Sequence, residues 1–279
     1  MRIALKIDVP TSRAATVGVP RLLKLFEEYQ VTASFFFSME YNAQGLGLVE
    51  KAVSLLGKRQ KPEMTLQEAM LAVADAGHEI GLLGFDAGTW RNQAAFADAD
   101  WTSHQLALGM ETFEQLLGHA PNRFAAPGWQ VNAHLLAMEE RLEFRYATDV
   151  RGKYPFLPSL HNVVSQCPQI PTTLPTLSEL LLTDDIEPDK AHEYLYAESR
   201  HVLPFGHVYS ANAENEGIQH LDFMEKMLVM WKGQEGSLRT LGEIRRELQP
   251  EQLPVHQIGW GAVPGRREHL AMQSVKAEA

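Results

Sequence analysis

Short apolar runs rich in β-branched and aromatic residues alternate with stretches of helical periodicity along most of the chain. This is the pattern of parallel strands joined by crossover helices. Ile3 to Val9 predicts a first strand, and Val19, Leu22, Leu23 and Phe26 then recur at i, i+3, i+4 and i+7, with Pro20 suited to a first helical turn. Val31 to Ser38 reads as a buried strand. Thr65-Leu66-Gln67-Glu68 carries a capping-box pattern and announces a helix before a third strand, Glu79 to Leu82. After Thr102, one helix face holds Leu106, Met110, Phe113 and Leu117, and Gly118 ends it. Further strands are predicted at Phe124 to Ala126, Tyr146 to Thr148, Val208 to Ala211 and Ser237 to Thr240, with helices near 133–140, 188–200 and 219–232. About seven βα units predict an α/β fold, a distorted or incomplete (β/α) barrel. A single domain over 1–279 is expected, with a less regular connection at 41–64 and a flexible tail after about 267.

Composition narrows the function classes. The 279 residues are 45% hydrophobic, enough for one sizeable core, and carry a net charge of −10. Acidic residues are dispersed and no Lys/Arg cluster occurs, which argues against a nucleic-acid partner. Cys167 is the one cysteine in the sequence, so no internal disulfide and no thiolate metal cage can form. Charges at Lys6 and Asp8 interrupt the N-terminal apolar run, which reads as a strand and not as a signal peptide. No apolar run of about 18 residues predicts a transmembrane helix. A cytoplasmic protein is expected, with peripheral contact at the inner membrane as an additional expectation.

In such a barrel, functional groups gather at the C-terminal ends of the strands. Those ends are Asp8, Gly84-Phe85-Asp86, Pro127-Gly128-Trp129, Asp149-Val150-Arg151 and Asn212-Ala213-Glu214-Asn215-Glu216. Each has an ordinary structural use. Asp8 and Asp86 are turn residues by type, Asp149 and Arg151 can form a local ion pair, Glu214 and Glu216 can be solvated loop charges, and Trp129 can be packing. Arriving together at successive strand ends, they predict a shared pocket. None of the 11 histidines has the HxxxH or HxxH spacing of a preformed zinc site.

Several ordered segments resemble the polysaccharide deacetylase (NodB-like) superfamily. They are Leu5-Lys6-Ile7-Asp8-Val9, Gly18-Val19-Pro20-Arg21-Leu22-Leu23, Ala33-Ser34-Phe35-Phe36-Phe37-Ser38, His78-Glu79-Ile80-Gly81-Leu82, Gly128-Trp129, Asp149-Val150-Arg151-Gly152, Ile170-Pro171-Thr172-Thr173-Leu174-Pro175-Thr176 and Ala213-Glu214-Asn215-Glu216-Gly217. Within the superfamily they are most similar to the bacterial formamido-arabinose-phosphoundecaprenol deformylases of lipid A modification. The resemblance implies a distorted (β/α) barrel and metal-assisted amide hydrolysis, in which a cation polarises carbonyl and water and a carboxylate takes the water proton. It implies that Asp8 stands at the general base, that Pro10, Leu83 and Ala87 stand at the three metal-ligand positions, that Asn212 stands at the acid histidine and Gln130 at an arginine. The chain therefore reads as a degenerate member, a pseudoenzyme with no cofactor expected. A divalent cation is expected only if Asp8, Asp86, Glu214 and Glu216 substitute for the lost ligands.

Three functions follow as expectations. The first is binding of an amino sugar or polyprenyl-phosphate-linked sugar without hydrolysis, with Asp86, Trp129, Asp149, Asn212, Glu214 and Glu216 as substrate-binding residues. The second is a working carbon–nitrogen hydrolase on an N-acylated sugar, with Asp8 as base, Asp86 and Glu214 on a cation and Arg151 as electrostatic partner. The third is pairing with another enzyme of the envelope pathway. Residues 41–64 are shorter than the stretch that the resembling deformylases use at the membrane.

Overall fold

The computed structural model describes residues 2–40, 64–233 and 237–277. Strand β1 (Arg2–Val9) lies inside a parallel sheet. It pairs with β2 (Ser34–Phe37) on one side and β6 (His207–Asn212) on the other, which sets Lys6 opposite Ser34 and Ser210, and Asp8 opposite Phe36 and Asn212. Strand β3 (Glu79–Leu82) extends the sheet from β2, and β7 (Ser237–Arg239) pairs with the first residues of β1. Both faces of a parallel sheet are covered, so its strands are mostly apolar, and the buried polar residues Lys6, Ser34 and Ser210 are exceptions. In β2, Phe35 and Phe37 join the large core beneath the helices, and Phe36 turns to a smaller inner cluster.

Beyond β3 the sheet continues as single bridges, Leu82 to Phe124, Phe124 to Ala147 and Ala147 to Gln169, all parallel. The amides of Thr173 and Leu174 then donate to Val208 O of β6. Backbone contacts thus lead round to the first strands through stretches that are mostly not regular strand. The strands predicted at Phe124 to Ala126 and Tyr146 to Thr148 are present as bridged residues alone, because side chains take the backbone groups a ladder would use. Asp149 Oδ1 accepts the Ala126 N–H and Gln169 Oε1 accepts the Asp149 N–H.

Ala4, Phe36, Leu83, Ala125, Tyr146, Ile170 and Val208 form the inner cluster, joined by Leu241 and Ile244. The last two belong to a short helix, Leu241–Glu247, that begins with a capping box from Thr240 and Glu243. The Gly242 N–H of this helix donates to Glu79 Oε2 at 2.8 Å, where Ser34 Oγ (2.6 Å) and Tyr146 Oη (3.2 Å) also donate. The predicted capping box at Thr65 opens helix Leu66–Asp75, and left-handed Gly118 closes helix Ala99–Leu117.

A second sheet was not predicted. It has the order β5-β4-β8-β9 and comprises β4 (Leu157–Leu160), β5 (Val163–Val164), β8 (Val255–Gly261) and β9 (Leu270–Lys276). Strand β9 corrects the expected tail: Leu270 and Ala271 are fully buried, and Ala271 O accepts the Arg151 N–H. Three adjacent apolar residues, Leu270 to Met272, between polar flanks carry too little pattern to signal a strand. The predicted connection at 41–64 lies outside the described residues except at Met64. Among the described residues, no helix is long and apolar enough to cross a membrane.

Candidate active site

Alternation along β1 sends Lys6 and Asp8 to the same face of the sheet. Lys6 Nζ lies 2.7 Å from both Asp8 carboxylate oxygens, and Ser210 Oγ is 3.4 Å from Lys6 Nζ and from Asp8 Oδ2. The Lys6 side chain is 1% exposed, so the ammonium depends on this pairing. It also faces the rings of Phe36 and Trp129, 5.8 and 5.4 Å from the centroids. Sequence reasoning passed over Lys6, although a charge inside an apolar strand two residues before Asp8 was a usable signal.

Trp129 follows left-handed Gly128 and is itself at φ 53°. A Cβ at position 128 would stand 2.9 Å from Arg91 Cγ. The indole is 4% exposed, donates from Nε1 to Thr172 Oγ1 at 3.2 Å, and has the guanidinium carbons of Arg151 and Arg266 at 5.0 and 5.1 Å from its centroid. Cations rather than open solvent surround this predicted platform.

Arg151 and Asp149 do not pair with each other. Arg151 Nη1 donates to both oxygens of buried Glu179 at 2.8 and 3.0 Å, and Nη2 donates to Leu174 O. Arg266 Nε meets the same carboxylate at 3.0 Å. Asp149 is fully buried, takes the Ala126 N–H at 2.6 Å, and shares the Gln169 amide with Glu139. It therefore lies beneath the predicted pocket instead of lining it. Burial pushes the Asp149 carboxyl up, and burial together with the Asp149 charge pushes Glu139 well up.

The remaining predicted groups are tied into their own loops. Asp86 caps helix Ala87–Gln93: Oδ1 accepts from the Gly88 and Thr89 amides at 2.8 and 2.9 Å, and Oδ2 accepts the Thr89 hydroxyl. Asn212 Oδ1 accepts from the Glu214 and Asn215 amides. Glu214 takes the Thr11 hydroxyl at 2.7 Å and pairs with Arg13 at 3.3 Å. Buried Glu216 accepts from Tyr209 Oη at 2.8 Å and the Asn212 N–H at 2.9 Å, and burial pushes its pKa up to about 7. Asp8, Asn212 and Glu214 are brought together as partly exposed groups by the β1–β6 register and by Thr11.

Leu83 and Ala87 are 2% and 4% exposed and belong to the inner apolar cluster with Ala125 and Ile170. Gln130 is buried, and its Nε2 donates to His269 O at 2.9 Å, fastening the segment between β8 and β9.

Residues 3–147 match the family model for polysaccharide deacetylase. The Shewanella sediminis protein named 4-deoxy-4-formamido-L-arabinose-phosphoundecaprenol deformylase ArnD is 31% identical over 256 residues, 83% of this chain and 81% of its own length. The chain belongs to the polysaccharide deacetylase family. A Mycobacterium smegmatis structure described as a polysaccharide deacetylase agrees in fold, with a TM-score of 0.68 at 19% identity over 94% of each chain. A CE4 family pseudoenzyme from Bacillus anthracis matches 88% of this chain and 65% of its own, with a TM-score of 0.56 at 14% identity.

The resemblance to metal-assisted members raises the question whether this polysaccharide deacetylase chain can hold the ion. Pro10, Leu83 and Ala87 offer no side-chain donor atom, and both Asp8 oxygens face the Lys6 ammonium. The carboxylates that could substitute are engaged by Thr89, Thr11, Arg13 and Tyr209. Among the described residues, no group of three or more His, Cys, Asp or Glu is arranged to hold a metal. The donor set does not fit the ion.

Proposed function

We propose that this chain, as one domain over 1–279, binds an N-acylated amino sugar, free or linked to a polyprenyl phosphate, without metal-dependent hydrolysis. One observation supports the reading: Leu83 and Ala87, which the resemblance sets at metal-ligand positions, lie inside an apolar cluster. Losing about 4 kcal/mol of transition-state stabilisation costs roughly a thousandfold in rate. Asn212, at the acid position, has no proton to deliver to a leaving amine at neutral pH. The ligand class is supported by the formamido-arabinose-phosphoundecaprenol named for the Shewanella relative. The polyprenyl phosphate in that name is consistent with a cytoplasmic protein that meets a lipid-linked ligand peripherally, for which flotation with anionic liposomes is the check.

The test pairs binding with turnover. Calorimetry should detect a formamido or acetamido sugar, and the purified protein with Zn²⁺, Mn²⁺ or Co²⁺ should release neither formate nor acetate. Release that disappears in Asp8→Asn would overturn the reading.

The identity of 31% to a protein named as a deformylase favours a second reading, a working carbon–nitrogen hydrolase with Asp8 as base. Stoichiometric metal in elemental analysis would support it. Pairing with an active enzyme of the same pathway is the remaining alternative, which co-purification with that enzyme would reveal.

A further inference from the structure

A cavity of about 410 Å³ opens beside the first residues of β1 and β6, at the opposite ends of these strands from Asp8 and Asn212. Its volume lies within the range of small-molecule sites. Helix Ala191–Ser199 and the segment 200–206 that follows supply most of its wall. Arg2 Nη2 donates to Pro204 O at 2.5 Å, and Arg2 Nη1 pairs with Glu247 at 3.2 Å. His207 is held between Thr173 Oγ1 at 3.1 Å and His201 O at 2.6 Å, and burial lowers its pKa. Gly206 sits at φ +73°, where a Cβ would come 2.4 Å from Arg2 O, so the turn closing the cavity tolerates no side chain. These ties anchor the segment on both sides.

The lining is selective in charge. Arg2, Arg200, His201 and Tyr196 contribute to it, Val202 and Leu203 add apolar surface, and no lining residue is acidic. Arg2 is paired with Glu247, so the guanidinium that no carboxylate pairs among the described residues is that of Arg200. A guanidinium fork matches carboxylate and phosphate oxygens and holds its charge at every physiological pH. We propose that this cavity binds a small anionic metabolite with a carboxylate or phosphate head, met by Arg200, and a short apolar body against Val202 and Leu203. The site is separate from the Asp8 pocket and does not depend on the function proposed for it.

Calorimetric titration of the full-length protein with butyl phosphate, butyrate, inorganic phosphate and 1-butanol tests this. Butyl phosphate or butyrate should saturate with a Kd below about 1 mM, and 1-butanol should not saturate. Whichever of the two anions binds identifies the head group. Arg200 is exposed, so Arg200→Gln should melt like the wild type while weakening the anion about tenfold or more. Saturation by neither anion up to about 10 mM would overturn the proposal. So would wild-type affinity in Arg200→Gln, or inorganic phosphate binding as tightly as butyl phosphate.

Discussion

Lys6 Nζ stands 2.7 Å from each carboxylate oxygen of Asp8, with the two side chains on one face of β1 and the lysine almost fully buried. Removing one partner of such a pair leaves an uncompensated charge, so Lys6→Met should cost about 3 kcal/mol. The figure sits at the low end for buried pairs because the Asp8 side chain is 18% exposed. The double variant Lys6→Met/Asp8→Asn should recover most of the loss, since it leaves no unpaired charge. Urea denaturation of the two single variants and the double one measures the coupling; additive losses would mean that the pair contributes nothing as a pair.

Strands β1, β2, β3 and β6 were legible because their residues are largely buried and mostly apolar or aromatic, the signal a parallel strand leaves even with Lys6, Asp8, Glu79 and Ser210 among them. The bridged residues near Phe124 and Ala147 were overread as strands, since nothing local says that Asp149 and Gln169 side chains take the neighbouring amides. The candidate site was legible at Asp8, Asn212 and Glu214. It was not legible at Arg151 and Asp149, whose partners Glu179 and Gln169 lie 28 and 20 residues away. Side chains two apart along an extended chain looked like a local pair, and long-range packing assigned them elsewhere.

Glu139 and Asp149 should give stability a negative pH slope. Their native pKa values are raised above the ordinary 4.5 and 3.8, so above those values the folded chain holds protons that the unfolded chain releases. Stability therefore falls as pH rises through this window and above it, until the native groups ionise. Glu139→Gln mimics the protonated acid, with an amide that can face both Gln169 and Asp149. It should flatten the slope by up to about 1.4 kcal/mol per pH unit and exceed the wild type in stability at pH 8. Glu216, at about 7, leaves a residual slope up to neutrality. Chemical denaturation from pH 5 to 8 reads both effects, and an unchanged slope in Glu139→Gln would assign the protons elsewhere.

Gly242→Ala should destabilise, although Gly to Ala within a helix ordinarily stabilises by up to about 1 kcal/mol. The new Cβ would fall 1.7 Å from Glu79 Oε1 and unseat a carboxylate that accepts from Ser34, Tyr146 and Gly242 itself. A net loss of about 2 kcal/mol is expected from those hydrogen bonds. In a Glu79→Ala background the same substitution should become neutral or stabilising. Thermal melts of the four proteins decide it, and equal effects in both backgrounds would show that Glu79 is not the obstacle.

Restoring donors should restore metal binding if Pro10, Leu83 and Ala87 do stand where the resembling enzymes hold their ion. The triple variant Pro10→Asp, Leu83→His, Ala87→His supplies one carboxylate and two imidazoles, an ordinary zinc donor set. Placing His at position 83 opens the inner apolar cluster, so the metal-free variant should lose about 2–4 kcal/mol. Zinc should return part of that loss, because ligand binding to the folded state adds to its stability. Leu83→His alone should show the loss without the recovery. Elemental analysis and melts with and without Zn²⁺ separate the outcomes. A triple variant that is destabilised yet takes up no more zinc than the wild type would mean that the three positions do not converge on one point, and the case for a lost metal centre would fail with it.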